Sequence, residues 1–201
     1  MAPTGVQIHD PRRQLFAAAE RVLLRESAGR LTSRAVTDEA GVAKGVLHRH
    51  FADFDAFLVE LVHDRLARIE DWGAPLSRSA GAGSVVGNLT TTLITLFDPV
   101  TVEIVAIVTF RDEVRLRLAD TGTRRGIPIL AEAAALIASY LTDECEMGSI
   151  AADADVDALA LALVGAAYIV FAGHASAEPP AEAIEKVVAA TAADVIQRRL
   201  L

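Results

Sequence analysis

The chain has 201 residues, 52% hydrophobic, 23% charged and 5% aromatic, with a net charge of −8. It is too apolar for a disordered chain, and thirteen glycines and seven prolines are too few for a fibrous one. One cysteine, Cys145, excludes an internal disulfide framework and a Cys-x-x-Cys metal cluster, and suits a reducing compartment.

The N-terminus carries Asp10, Arg12 and Arg13 and no long apolar stretch, unlike a secretory signal. Asp10 is placed to cap a first helix that Pro11 opens. Leu15, Ala18, Ala19, Val22 and Leu23 follow at three-to-four spacing, and the helix ends before Gly29. A second, short helix starts at a Thr32–Ser33 cap, buries Ala35 and Val36 and stops at Glu39 or Ala40. Gly41 breaks it, and a third short segment covers 44–50. A longer helix over 55–71 shows Leu58, Leu61, Val62, Leu66 and Ile69 on one face. Residues 73–83 hold Pro75 and three glycines without an apolar period, and read as a linker.

Further helices are predicted from the Ser84 cap to Phe97, from Asp98–Pro99 to Ala119, and from Pro128 to about Glu146. Two more run from Asp153 to Gly173 and from Pro179–Pro180 to the C-terminus. The run 101–110 is rich in β-branched residues. Its apolar period nevertheless continues through Ile104, Ile107, Val108, Val114 and Leu118, which is too long for a strand. The longest apolar run, 158–173, falls short of the roughly 18 residues that span a bilayer. A soluble, cytoplasmic protein without membrane contact is expected.

Charge is unevenly spread. Residues 1–50 hold eight basic and five acidic side chains; the remainder holds eleven and twenty-two. Either this is ordinary scatter of solvated charge, or a small basic module sits on an acidic body.

The stretch 31–51, LTSRAVTDEAGVAKGVLHRHF, joins a short capped helix to another through a turn at Ala40, Gly41, Val42 and Ala43. Gly41 permits the left-handed backbone such a turn requires. Val36, Ala40, Val42 and Leu47 are spaced to lock the two helices over the first. The second helix, about seven residues or roughly 10 Å long, fits a major groove about 12 Å wide. Its outward residues are Ala43, Lys44, Gly45, His48 and Arg49. By the turn alone this is a helix-turn-helix that reads DNA or a corner in a helical protein.

The wording of the stretch resembles the DNA-binding domain of the tetracycline-repressor (TetR) family of bacterial transcriptional regulators. The resemblance is carried by Ala18–Ala19, Thr32–Ser33, Ala40-Gly41-Val42, Gly45, Leu47, His50, Phe51, Ala56 and Phe57, and covers about residues 12–60. It implies an all-α fold of about nine helices. A three-helix DNA-binding domain would occupy 1–53, and a helical effector-binding and dimerisation domain 54–201. It implies that Thr32 and Ser33 cap the second helix and touch phosphate, and that Arg34 reaches a base or phosphate. Lys44 and Gly45 would open the recognition helix against the backbone, with His48, Arg49 and His50 on or beside the groove face. Three positions depart from the family: His48 replaces a tyrosine, Phe54 a lysine and Ala43 a serine. The first two departures each remove or weaken a phosphate contact.

The resemblance also implies a homodimer on an inverted-repeat operator in double-stranded DNA, acting as a repressor released by a small-molecule effector. The stripe Leu159, Ala162, Leu163, Gly165, Ala166, Ala167, Val170, Gly173 and the stripe Ile184, Val187, Val188, Thr191, Val195 suit a four-helix dimer interface or packing within one subunit. Effector-lining candidates are Trp72, Phe97, Phe110, Arg111, Tyr140, Tyr168, Phe171 and His174, which suit a filled core equally well. The competing functional reading is a helical small-molecule sensor with little DNA affinity. No Gly-x-Ser-x-Gly, Gly-x-Gly-x-x-Gly, P-loop or His-Glu-x-x-His motif is present, and His48 and His50 lie two apart on a helix, a poor metal pair. Neither catalysis nor a cofactor is expected.

Overall fold

A side-chain cap opens most of the helices of the computed structural model, which describes residues 10–122, 126–174 and 179–196. Asp10 accepts from the Arg13 N–H ahead of α1, Pro11–Glu26. Thr32 accepts from Ala35 N–H ahead of α2, Ser33–Ala40, and α3 follows as Gly45–His50. Asp53 caps α4, Phe54–Arg78; Ser84 caps α5, Val85–Leu96; Asp98 caps α6, Pro99–Phe110. Helix α7 spans Asp112–Asp120 and α8 spans Pro128–Glu146. Asp155 caps α9, Val156–Ala172, and α10 is Ala181–Thr191. Each cap satisfies an N–H that a helix start leaves without a carbonyl. The described residues are all-helical apart from one antiparallel bridge between Ile150 and Ile196.

Helix α4 connects the two halves. It packs on α3, α5, α7 and α8. At about 1.5 Å per residue, its 25 residues span roughly 37 Å. Helices α8 and α9 pack together, and α10 lies across α5 and α9. No single helix among the described residues is long and apolar enough to cross a membrane.

Three boundaries correct the sequence reading. The linker over 73–83 contracts to the turns that follow Arg78, because α4 continues through Pro75. Leu76 is buried, and Gly73 lies so close to Leu136 of α8 that a Cβ would overlap it, so packing holds the helix past its proline. The helix expected to run unbroken to Ala119 is split at Arg111, whose extended backbone (φ −114°, ψ 96°) ends α6 and opens α7. The last helix ends at Thr191, and the chain then turns so that Ala151 N–H bonds Val195 O at 2.9 Å. Ten α-helices are therefore present among the described residues, where about nine were expected.

A buried ionic node ties the halves together. Arg65 of α4 is 3% exposed. It donates to Thr101 Oγ1 at 2.9 and 2.7 Å, pairs with Asp98, and lies 3.9 Å from Glu20 of α1. Its guanidinium covers the Trp72 ring at 5.0 Å. One side chain thus touches α1, α4 and the start of α6. Beside it, Glu103 of α6 accepts the Ala28 N–H at 2.5 Å, just before α2.

Candidate nucleic-acid interface

Leu15, Ala18, Ala19, Val22, Leu31, Val36, Ala40 and Leu47 are buried and form the floor on which α2 and α3 sit. The turn between the helices is set by Gly41, at φ 67° and ψ 29°. Its N–H returns to Asp38 O at 3.2 Å, and the Val42 N–H returns to Thr37 O at 3.0 Å, closing the end of α2. Gln14 of α1 adds a donor to Ala40 O at 3.0 Å. On the other side, Phe16, Phe51, Phe54 and Phe57 form a ring cluster with centroids 5.1 to 5.9 Å apart. Arg12 covers Phe51 at 4.6 Å, donates to His50 O and pairs with Glu60.

These contacts sort the basic residues of the first fifty. Arg12 is neutralised by Glu60. Arg21 and Arg25 converge on Glu39 at 2.7 and 2.8 Å and hold its carboxyl below the usual carboxylate range. Lys44 and Arg49 are exposed, and neither has a side-chain partner among the described residues. Arg34 is exposed and only loosely paired, its Nε 3.4 Å from Asp38. Thr32, Gly45 and His48 are exposed with them, whereas Ser33 and His50 are half-buried. Nothing lies within 4 Å of the Cβ position of Gly45, so the start of α3 presents bare backbone. The eight DNA-contact candidates therefore fall along α2, the turn and α3. Six are solvent-exposed, and Ser33 and His50 reach the surface only partly.

Sequence reasoning missed what fixes this module to the body. Asp53 caps α4 through the Ala56 N–H at 2.7 Å, and Arg117 of α7 grips both of its oxygens at 2.8 and 3.0 Å. The Arg117 hydrogen bonds, then the Ala56 amide, hold the Asp53 carboxyl below its ordinary value. Arg111 pairs with Asp55 at 3.3 Å and lies over the Phe54 ring at 5.5 Å. Phe54, met in the sequence as a missing lysine, is thus an aromatic platform stacked on Phe57.

The effector candidates separate. Phe97, Tyr168 and Phe171 meet, with ring centroids 6.1 and 5.8 Å from Phe97. Burial, then Glu103, pushes the Tyr168 hydroxyl up. Trp72 sits under Arg65, and Tyr140 is buried against Glu144. Phe110 is 84% exposed, Arg111 faces Asp55, and His174 is exposed with Nδ1 2.7 Å from Val170 O. The structure does not bring these last three together with the aromatic group.

The geometry is that of a helix-turn-helix. Residues 15–61 match the family model described as bacterial regulatory proteins, tetR family. The helix-turn-helix is of the TetR type. The chain's fold extends the likeness to nearly the whole length. NemR of E. coli, in its reduced form, superposes with a TM-score of 0.69 at 17% identity, covering 95% of this chain and 100% of that one. SmeT, the repressor of the Stenotrophomonas maltophilia multidrug efflux pump SmeDEF, gives 0.66 at 16%, covering 96% and 94%. A TetR-family member from Streptomyces coelicolor A3 gives 0.60 at 21%, covering 91% and 98%. No curated protein sequence matches the chain. The protein is a TetR-like DNA-binding transcriptional regulator, and the tetR family is regulatory rather than catalytic.

Proposed function

We propose that the regulator acts as a homodimer that places two α3 helices in successive major grooves of an inverted repeat, and represses until a small effector releases it. The observation that carries the DNA reading is the sorting of cations. Within the first fifty residues, carboxylates neutralise Arg12, Arg21 and Arg25, while Lys44 and Arg49 stand unpaired at and within α3. Unpaired, exposed cations at α3 supply the counterion release that drives DNA association, despite the net charge of −8. Lys44 and Thr32 are assigned to phosphate, with Ser33 and the Gly45 backbone beside them. Arg34, His48, Arg49 and His50 are assigned to the groove.

The dimer reading rests on α9. Leu163 and Ala167 of the expected stripe are buried within the subunit, as are Ile184 and Val188 of α10. Periodicity identifies an apolar face without saying what covers it. The uncovered side of α9 is instead Leu161, 66% exposed, and Ile169, 71% exposed, with Ala162, Gly165 and Ala166 between them. Small residues flanked by exposed apolar ones allow a second helix to approach closely.

The effector reading is supported by a cavity of about 410 Å³ between α4 and α8, lined by Ile69, Gly73, Leu136, Ser77, Glu132 and Ser139. That volume is in the range of small-molecule sites, and it lies on the helix that carries the DNA module.

Genomic fragments captured by the full chain at moderate salt, then footprinted, test the reading. Protection of a short inverted repeat is expected. Absence of any footprint at every salt concentration leaves the sensor without DNA affinity as the surviving function.

A further inference from the structure

Glu144, near the end of α8, is 2% exposed, and its two oxygens are treated differently. Oε1 accepts from the Tyr140 hydroxyl at 2.6 Å and from the Gly81 N–H at 3.2 Å. Asn88 Nδ2 donates to the Tyr140 oxygen at 3.0 Å, which leaves the Tyr140 proton committed to Glu144. Burial, then that hydrogen bond, holds the phenol well above its ordinary pKa. Oε2 is equally buried and has no hydrogen-bond partner. No Lys or Arg side chain pairs with this carboxylate among the described residues. A buried carboxylate is stable when its charge is matched and both oxygens are bonded, and here one oxygen and the charge are left over.

The same side chain lines a partly open cavity of about 220 Å³, bordered by the glycine turn after α4 and by the segment carrying Ile150 and Ile196. Its lining includes the polar residues Ser84, whose hydroxyl also accepts the Gly87 N–H, and Ser149, beside the apolar Val85 and Ile196. At about 30 Å³ per water, the space equals roughly seven waters, too much for a single bridging water and enough for a short organic molecule. A water would satisfy Oε2 without neutralising it. A multidentate metal fits poorly, because no group of three or more His, Cys, Asp or Glu side chains gathers among the described residues. What matches is one positive group with N–H donors on a short apolar body.

We propose that this cavity binds a small protonated primary amine, its ammonium paired with Glu144, its remaining N–H groups facing Ser84 and Ser149, and its alkyl body on Val85 and Ile196. Oε2 lies behind the cavity surface, so the turn containing Gly81 and Gly83 yields slightly to admit the ammonium. Both glycines hold φ of 71°, in the left-handed region glycine adopts without strain. The site adjoins the end of α4 opposite α3, and occupancy joins the turn after α4 to α8 and to the turn that follows α10. It does not depend on the DNA reading.

Calorimetric titration of the full-length protein at neutral pH and constant ionic strength tests the proposal, with n-butylammonium chloride as probe and tetramethylammonium chloride as the cation without N–H donors. Saturable binding of butylammonium is expected, weakened about tenfold or more in Glu144→Gln. The Glu144 carboxyl carbon, followed by NMR in the unsubstituted protein, is expected to shift along the same saturation curve, so the test stands even if the variant fails to fold. The proposal is overturned by no saturable binding, by equal binding of tetramethylammonium, or by undiminished affinity in a folded Glu144→Gln protein. It is also overturned by a Glu144 carboxyl signal that ignores the amine.

Discussion

Lys44 and Arg49 differ from Arg12, Arg21 and Arg25 in having no intramolecular partner among the described residues, and that difference sets expectations at the residue scale. Lys44→Ala is expected to weaken specific and non-specific DNA binding by similar factors and to flatten the salt slope by about one unit, read by fluorescence anisotropy across a salt series. Arg49→Ala or Arg34→Ala is expected to cost about 1–3 kcal/mol mainly on the cognate site and to relax one base position. Arg34 starts from a loose pair with Asp38, so Asp38→Asn should strengthen its contribution, most visibly at low salt. Unchanged affinity in all three basic variants, with the fold intact, would detach α3 from DNA. Phe54 shows where residue-level reading stops. Its place in the motif is legible, but its stacking on Phe57 and under Arg111 depends on a residue 57 positions away. Phe54→Lys adds a cation next to Arg111, so the gain in backbone contact that the family pattern suggests is offset by a looser start to α4.

The turn and the start of α4 govern the module at the scale of elements. Gly41 has open space around its Cβ position, so Gly41→Ala meets no clash and suffers only the left-handed backbone. A loss of about 1–2 kcal/mol in denaturant unfolding is expected. Leu47 is fully buried, and Leu47→Asp is expected to unfold the module, seen as lost helical circular dichroism. The Asp53–Arg117 contact carries a pH dependence. Asp53 is depressed in the folded state, so its contribution is present above the ordinary carboxylate value and is lost as pH falls through the lower folded value. Stability is therefore expected to be flat above about pH 5 and to fall below about pH 4, with a shallower fall in Arg117→Gln. Both side chains are partly exposed, so high salt should reduce the difference between the two profiles. An identical acid profile in the variant would remove Arg117 from the anchoring of α4.

For the whole molecule, coupling and assembly are the quantities to measure. Arg65 holds Asp98 and Thr101 from within a buried site, so Arg65→Ala leaves that carboxylate and hydroxyl without their partner at the junction of α1, α4 and α6, while Glu20 keeps Arg68 at 2.9 Å. A loss of about 3–5 kcal/mol in denaturant unfolding is expected, and a loss below 1 would mean that the node is solvated. Light scattering is expected to give twice the 21.3 kDa chain mass. Leu161→Asp or Ile169→Asp should return it to the monomer with helicity retained, whereas Val188→Asp should unfold the subunit, because Val188 is already covered by it. A monomeric unsubstituted protein removes the dimer and its two-fold operator.

What the sequence determined by itself is local. Caps at Asp10, Thr32, Ser84 and Asp98, the Gly41 turn and the apolar period of each helix act over three or four residues, so they are legible in one dimension and place the helix-turn-helix correctly. The tertiary structure decided whatever joins distant residues. Packing against Leu136 carries α4 through Pro75, and Arg111 breaks a continuous apolar period because Asp55 and Phe54 hold it from another helix. The apolar stripes of α9 and α10 divide into inner and outer sides only once their neighbours are known. Charge follows the same rule. A sequence displays every arginine and glutamate alike, and only the fold separates Arg65, sealed among α1, α4 and α6, from Lys44 at the surface, and Glu39, gripped by two arginines, from Glu144, whose second oxygen has none. The physical reason is that desolvation and ion pairing depend on distance in space, which chain position does not encode.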